Sequence, residues 1–177
     1  MIFHNFAPAT LAQQFQLSPQ AADCLSAYLV TLPEAEIPSI SGVSADYFCA
    51  DKENADICAE LVRKGEKQAS CSMKYWYQTG GKEGPEPMPQ VGHLQVVTDW
   101  AGVPVAITQM TRVTEARFSD VTAEFAAAEG EGDKSLRWWR NAHWQFFSAE
   151  CEELGIEMSE DTVLVLEHFR TVWAKPA

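Results

Sequence analysis

Hydrophobic and polar positions along the chain alternate between two periods. Ser18-Pro19 opens a run of helical spacing, with a hydroxyl cap followed by proline at the first helical position, and predicts a helix to about Val30, ahead of Pro33. Residues 31 to 45 hold two prolines and Gly42 and read as a connection. Ala55, Ile57, Cys58, Leu61 and Val62 then give residues 51 to 64 an apolar side, and Gly65 is the natural stop. Beyond Gly65 the period falls to two. Ala69, Cys71 and Met73 alternate with Gln68, Ser70, Ser72 and Lys74, which predicts a strand with one buried face. Lys67 shares a side with Ala69, whereas Ser70 and Ser72 point the other way; a bulge near Lys67 would bring the two sets together.

TGGKEGPEPMPQVG is a loop long enough to act as a lid or binding loop. HLQVVTDW and VPVAITQMTRV flank Ala101-Gly102 and predict a hairpin. FSDVTAEFAAAEG predicts a short helix capped by Ser119 or Asp120 and ending near Gly130. A long helix follows from Ser135 to Leu154, closed by Gly155, with Leu136, Trp139, His143, Phe146, Phe147 and Leu154 as its apolar stripe. TVLVLEHFRTVW is the last strand. Hairpin strands with peripheral helices make the fold α+β, built around a small mixed β-barrel or strongly curved sheet.

Composition narrows the class. At 177 residues, 46% of them hydrophobic, the chain can bury a core and is not disordered. No apolar run approaches the ~20 residues of a membrane helix, and MIFHNFAPAT lacks the basic and apolar regions of a secretory signal. Five cysteines without a CxxC pair argue against a disulfide framework or zinc knuckle and suit reduced thiols in a cytoplasm, with Cys58 and Cys151 as small hydrophobes. The net charge of -12 argues against tight binding of long nucleic acid through a global field. Residues 61 to 82 depart from it: Arg63, Lys64, Lys67, Lys74 and Lys82 against Glu66 give +4 locally and leave -16 for the remainder.

The candidate chemistry begins in that basic island. In KGEKQASCS, Lys67 precedes Ser70 by three residues. A hydroxyl needs a neighbouring base to become a nucleophile, and a lysine serves either as that base or as a cation for phosphate or an oxyanion. An exposed strand face is the plainer alternative. In AEGEGD, Glu129, Glu131 and Asp133 can hold a divalent cation or orient a substrate, or Asp133 can simply cap the next helix. On the long helix, His143 reads as a satisfied core histidine, Trp138 as a base-stacking platform or a packing residue against the N-terminal helices, and Arg140 as a partner for a carboxylate or a cleft. GxSxG, Walker A, Rossmann and HExxH motifs are absent.

Taken together, GEKQASCS, HLQVVTDWAGVPVAITQMTRV, FSDVTAEFAAAEGEGDKSLRWWRNAHWQFF and the terminal strand resemble the ASCH domain family over roughly residues 45 to 174, most of all its longer bacterial members with an EGEGD-S-L-WWR-H-FF pattern. The resemblance implies a PUA-like small mixed β-barrel with flanking helices, a cleft beside it, and RNA or modified nucleosides as partners. It divides the chain into an N-terminal helical extension, residues 1–45, packed on an ASCH domain, residues 46–177. Short members are N4-acetylcytidine amidohydrolases in which a G-x-K-x-x-T motif supplies a lysine base and a threonine nucleophile, with a downstream glutamate. Some longer members are described as ribonucleases, and others are proposed only to bind RNA. Carried over by motif, the catalytic set is Lys67, Ser70 in place of the threonine, and Glu129, with Glu131 close behind. Gly65, Arg63, Ser72, Lys74, Trp76, Glu131 and Arg140 form the expected binding set. Ser72 stands where short members often have an arginine, which separates this chain from their substrate contacts.

Three readings follow. The first is a cytoplasmic hydrolase of RNA or a modified nucleoside, with manganese or magnesium as the one cofactor its carboxylates can hold. The second is a non-catalytic RNA-binding module, in which Lys67, Arg63 and Lys74 contact phosphates and Tyr75 or Trp76 stacks on a base. The third is a regulatory binder of a small anionic or heterocyclic ligand. None involves a membrane, and the oligomeric state is left open.

Overall fold

Helix starts and stops in the computed structural model, which describes residues 2–177, follow local chemistry closely. Helix α1 spans Pro8–Phe15 and α2 spans Pro19–Leu29, where Ser18 Oγ accepts from the Ala21 amide and Pro19 leads. A 3-10 turn at Ile37–Ser39 precedes strand β1, Val43–Asp46. Helix α3, Lys52–Arg63, is capped by Asp51 and is followed by Gly65 at φ +73°. Strand β2, Ala69–Met73, runs into a single-turn helix α4, Tyr75–Gln78. Strands β3, Leu94–Thr98, and β4, Pro104–Arg117, form the expected antiparallel hairpin, with Asp99 Oδ1 accepting from the Val103 amide in the turn. Helix α5 spans Ala123–Glu129, α6 spans Leu136–Leu154, and strand β5, Val163–Ala174, completes the chain.

Two local expectations change, and helix α1 is an element the sequence analysis did not anticipate. Helix α1 carries proline at its start but ends on Gln16 at φ +55°, so no glycine advertises its stop. The stretch read as a connection contains β1, which pairs parallel with β3, Val43 opposite Leu94. Short edge strands of this kind carry too few residues to show a period. Helix α5 begins one turn later than expected: Phe118–Asp120 makes a 3-10 turn, and Thr122 caps through the Phe125 amide at 3.2 Å.

The five strands form one mixed sheet in the order β1-β3-β4-β5-β2. The chain divides into two compact units, residues 1–66, 90–111 and 169–177, and residues 67–89 and 112–168. In the first, Leu11, Leu25 and Leu29 of α1 and α2 pack with Leu94, Val96 and Ile107 of the hairpin. Val62, Val97, Ala106 and Phe169 make a smaller cluster there. In the second, Ala69 and Met73 of β2 and Leu164 and Leu166 of β5 pack with Phe118, Phe125, Trp139, Phe147 and Cys151. The expected stripe of α6 is corrected at one position: Trp139, Phe147 and Cys151 are buried, whereas Phe146 is 42% exposed. The thiol of Cys151 lies 3.5 Å from the Met73 sulfur, as a packed hydrophobe would. Among the described residues no helix is long and apolar enough to cross a membrane.

Gly132 is required sterically within the second unit. It sits at φ +57°, and a Cβ built on it would lie 2.1 Å from the Trp138 ring. Trp138 therefore covers the EGEGD turn.

Candidate active site

The second unit gathers ionisable groups on two faces of β2. Alternation puts Ala69, Cys71 and Met73 on the face packed by α5 and α6. Lys67, two residues before Ala69, is held from below by main-chain structure: the Gln68 amide donates to the Ala128 carbonyl at 2.7 Å. That bond ties the approach to β2 onto the end of α5, where Glu129 closes the helix ahead of Gly130 at φ +74°.

Lys67 Nζ donates to Glu131 Oε2 at 3.1 Å, and it lies 3.5 Å from both Glu129 Oε2 and the Glu129 carbonyl. The side chains of Lys67 and Glu129 are 2% and 1% exposed. Such burial is tolerated only because the charges answer one another. His143 Nε2 approaches Glu129 Oε2 at 3.2 Å. Its Nδ1 faces the Trp139 carbonyl at 2.9 Å, and its ring stacks on Trp139 at 4.3 Å. A carbonyl only accepts, so Nδ1 carries a proton, and a doubly protonated ring would donate at both ends. Burial raises the Glu129 carboxyl, but Lys67 and the His143 bond outweigh it and hold Glu129 well below the usual carboxylate range. The Cys71 thiol lies beside the Glu129 carboxylate.

The opposite face of β2 carries different chemistry. Ser70 and Ser72 are half-buried there. The regular register of β2 against β5 places Ser70 opposite Glu167 and Ser72 opposite Val165. Ser72 Oγ and Tyr77 Oη are 2.8 Å apart, and Tyr77 Oη donates to Glu167 Oε1 at 3.4 Å. The register of β2 is regular from Ala69 to Met73, and Lys67 lies just ahead of it.

The remaining expected binding residues are committed to nearby carboxylates or packing. Arg63 reaches Glu60 through Nε at 2.7 Å and Nη2 at 2.8 Å, and it bonds the Lys175 carbonyl. Gly65 supplies a left-handed turn, and a Cβ added to it would meet nothing within 4 Å. Lys74 pairs with Glu115 at 2.7 Å. Arg140 bonds both oxygens of Glu160 and lies 5.0 Å from the centre of the Phe118 ring. Trp76 packs with Tyr75 at the edge of the second core and over Gly81. Lys67, Glu129 and Glu131 are brought together; Ser70 and Ser72 share the second face.

The carboxylates of AEGEGD do not converge on a cation. Glu129 and Glu131 hold Lys67, and Asp133 accepts from the Ser135 amide at 2.8 Å, at the start of α6. Cys71, Glu129 and His143 do present one donor atom each within 4.8 Å of one another. Burial, then Glu129, pushes the Cys71 thiol well above its ordinary range, and the Lys67 ammonium already supplies positive charge beside Glu129. Manganese and magnesium favour oxygen donors, so this set does not fit either ion.

Sequence reasoning missed Glu167 and Tyr77. One signal was available for Glu167, a carboxylate inside the apolar run VLVLEHF. Tyr77 offers none, because its role depends on α4 folding back toward the strand face.

A mixed five-stranded sheet with flanking helices, carrying a buried lysine-carboxylate cluster at the entry to an edge strand, defines an α+β fold of the PUA-like class. The chain belongs to the ASCH domain family, whose model matches residues 44–173. It is similar to the crystal structure of an ASCH domain from Lactobacillus crispatus JV V101, with 51% identity and a TM-score of 0.83, over 89% of this chain and 96% of that one. It is also similar to protein EF3133 from Enterococcus faecalis V583, with 27% identity and a TM-score of 0.64, over 78% of this chain and 84% of that one. No curated protein matches the chain.

Proposed function

We propose that this protein is a hydrolase of an N-acylated nucleoside, of the N4-acylcytidine amidohydrolase type, with Ser70 as nucleophile and the Lys67–Glu129 cluster as its fixed electrostatic frame. The carrying observation is the neutralisation of the basic island. Arg63 and Lys64 face Glu60, Lys67 faces Glu129 and Glu131, and Lys74 faces Glu115. Four of its five cations are thus matched, and a matched cation releases few counterions on meeting a phosphate. A chain with net charge -12 and a basic island largely matched by carboxylates suits a small neutral substrate better than an RNA backbone.

Within this reading Lys67 acts as an ammonium rather than as the base, because two carboxylates hold it. It stabilises negative charge that develops on an acyl oxygen. Free thiols at all five cysteines suit a reducing, cytoplasmic setting. The test is mass-spectrometric turnover of N4-acetylcytidine. Cytidine release by the wild type, abolished in Ser70→Ala and reduced in Lys67→Ala, supports the reading. No release by the wild type, together with cleavage of single-stranded RNA, would replace it with a ribonuclease; salt-sensitive RNA binding without turnover would replace it with a binding module.

A further inference from the structure

Two of the five cysteines lie together in the first unit. Cys49 sits in the loop between β1 and α3, and Cys58 sits on α3. Their sulfurs are 3.4 Å apart. Cys49 is exposed, whereas Cys58 is 1% exposed. Local structure fixes this approach. Cys58 shares the buried side of α3 with Ala55, Ala59 and Val62. The loop is held on both sides of Cys49: the Phe48 ring stacks on Phe169 at 5.8 Å, and Asp51 Oδ1 accepts from the Asn54 amide at 3.0 Å as the cap of α3. Between those anchors Cys49 takes φ +69°, a left-handed conformation that residues with a Cβ rarely adopt, and its thiol meets the helix at Cys58.

We infer that Cys49 and Cys58 are a peroxide-responsive dithiol: Cys49 is oxidised first, and Cys58 resolves it to an intrachain disulfide that ties the β1–α3 loop to α3. This role is independent of the hydrolase reading above.

Exposure divides the two roles. Peroxide meets Cys49 from solvent, and the buried Cys58 receives the oxidation through it. The Cys49 thiolate attacks one peroxide oxygen and the O–O bond breaks. Hydroxide leaves and takes up the thiol proton as water, and the sulfur becomes a sulfenic acid. The Cys58 sulfur then attacks the Cys49 sulfur and the S–O bond breaks. Hydroxide leaves with the Cys58 proton as a second water. One peroxide is reduced to two waters, and two thiols are oxidised to one disulfide. Bond formation brings the sulfurs from 3.4 Å to roughly 2 Å, a shift within reach of side-chain rotation at an exposed loop residue. A small thiol reductant reverses the step in two exchanges. Its first thiolate forms a mixed disulfide with Cys49 and releases Cys58, and a second releases Cys49. A pair that cycles in this way suits a compartment that keeps thiols reduced.

The other three cysteines are poorer targets. Burial pushes the Cys24 thiol up to about 11 and raises Cys71 and Cys151 above their ordinary range, so each holds little thiolate at neutral pH.

The experiment treats reduced wild type, Cys49→Ser and Cys58→Ser with a few equivalents of hydrogen peroxide at pH 7, then reads intact mass and a peptide map after differential alkylation. Trypsin cuts after Lys52, between the two cysteines, so the disulfide appears as a joined pair of peptides. The wild type should lose about 2 Da and give the Cys49–Cys58 pair as its main product, reversed by dithiothreitol. Cys58→Ser should hold Cys49 as a sulfenic acid, a gain of about 16 Da that dimedone captures. Cys49→Ser should slow oxidation of Cys58 by about tenfold or more, because its thiol is buried. A wild type in which both cysteines stay thiols, or in which Cys49 goes on to sulfinic acid or joins a second chain while Cys58 stays a thiol, overturns the pairing. Oxidation of Cys24, Cys71 or Cys151 ahead of Cys49 overturns Cys49 as the peroxide target. Cys58 oxidising as fast in Cys49→Ser as in the wild type overturns the order of events. The wild-type map decides the pairing and the target by itself if either variant fails to fold.

Discussion

Replacing Lys67 by methionine tests the energetics of the buried cluster directly. The substitution keeps a long side chain but removes the ammonium beside Glu129, whose side chain is 1% exposed. Removing one partner of a buried ion pair costs about 3–5 kcal/mol, because the other charge stays behind unanswered. His143 still approaches Glu129 Oε2 at 3.2 Å, which places the expected loss near the lower end, about 3 kcal/mol. In a domain of this size that loss corresponds to a fall in Tm of roughly 6–12 °C. Urea unfolding followed by tryptophan fluorescence measures it, at pH 7 and at pH 5. The pH dependence carries the sharper expectation. In the wild type the Glu129 carboxyl lies below its unfolded value. Its contribution is therefore fully present above the unfolded carboxylate range, near 4.3, and is lost as the pH falls through the folded value. Without Lys67, burial dominates and raises the folded carboxyl above the unfolded one, so the variant regains stability on acidification from neutral pH. A Lys67→Met, Glu129→Gln double variant should recover most of the loss at pH 7. A single-variant loss under about 1 kcal/mol, or a deficit that stays constant from pH 7 to pH 5, would refute the buried-pair account.

Other perturbations reach the same unit by different routes. Gly132→Ala puts a Cβ 2.1 Å from the Trp138 ring at φ +57°; left-handed strain and overpacking together should cost roughly 2–5 kcal/mol by denaturant melts. Ser135→Ala removes the side-chain cap that accepts from the Trp138 amide at 3.1 Å, with an expected loss of about 1 kcal/mol in the same assay. Phe147→Ala empties a fully buried position on α6, and calorimetry should record a loss of about 3–5 kcal/mol. Single-stranded RNA should bind weakly, with a plot of log affinity against log salt no steeper than about -1, because the cations of residues 61 to 82 are largely matched; a slope of several units would show otherwise.

The elements with strong local signals were legible in the chain itself. Ser18-Pro19 and Ser135 mark helix starts, Gly155 marks a stop, and the period-two alternation of Ala69, Cys71 and Met73 assigns β2 its buried face. Each depends on chemistry within a few residues, which a sequence carries in full. The same alternation put Ser70 and Ser72 on the face away from Ala69, Cys71 and Met73, and the regular register of β2 with β5 keeps them there. Helix α1 and strand β1 were not legible, since one ends without glycine and the other has four residues whose pairing with β3 lies about fifty positions away.

The candidate site divides along the same line. Residue types offered a lysine, a hydroxyl and carboxylates between glycines as candidates, and the family resemblance singled out Lys67, Ser70 and Glu129, with Glu131 close behind. Which carboxylate serves which group was decided only in three dimensions. Burial turns Lys67 toward Glu129 and Glu131, where one ammonium answers two carboxylates, and strand register sets Glu167 opposite Ser70. Charge pairing and ladder register are long-range facts: their energies depend on distances between residues some 60 to 100 positions apart, and only the packed chain sets those distances.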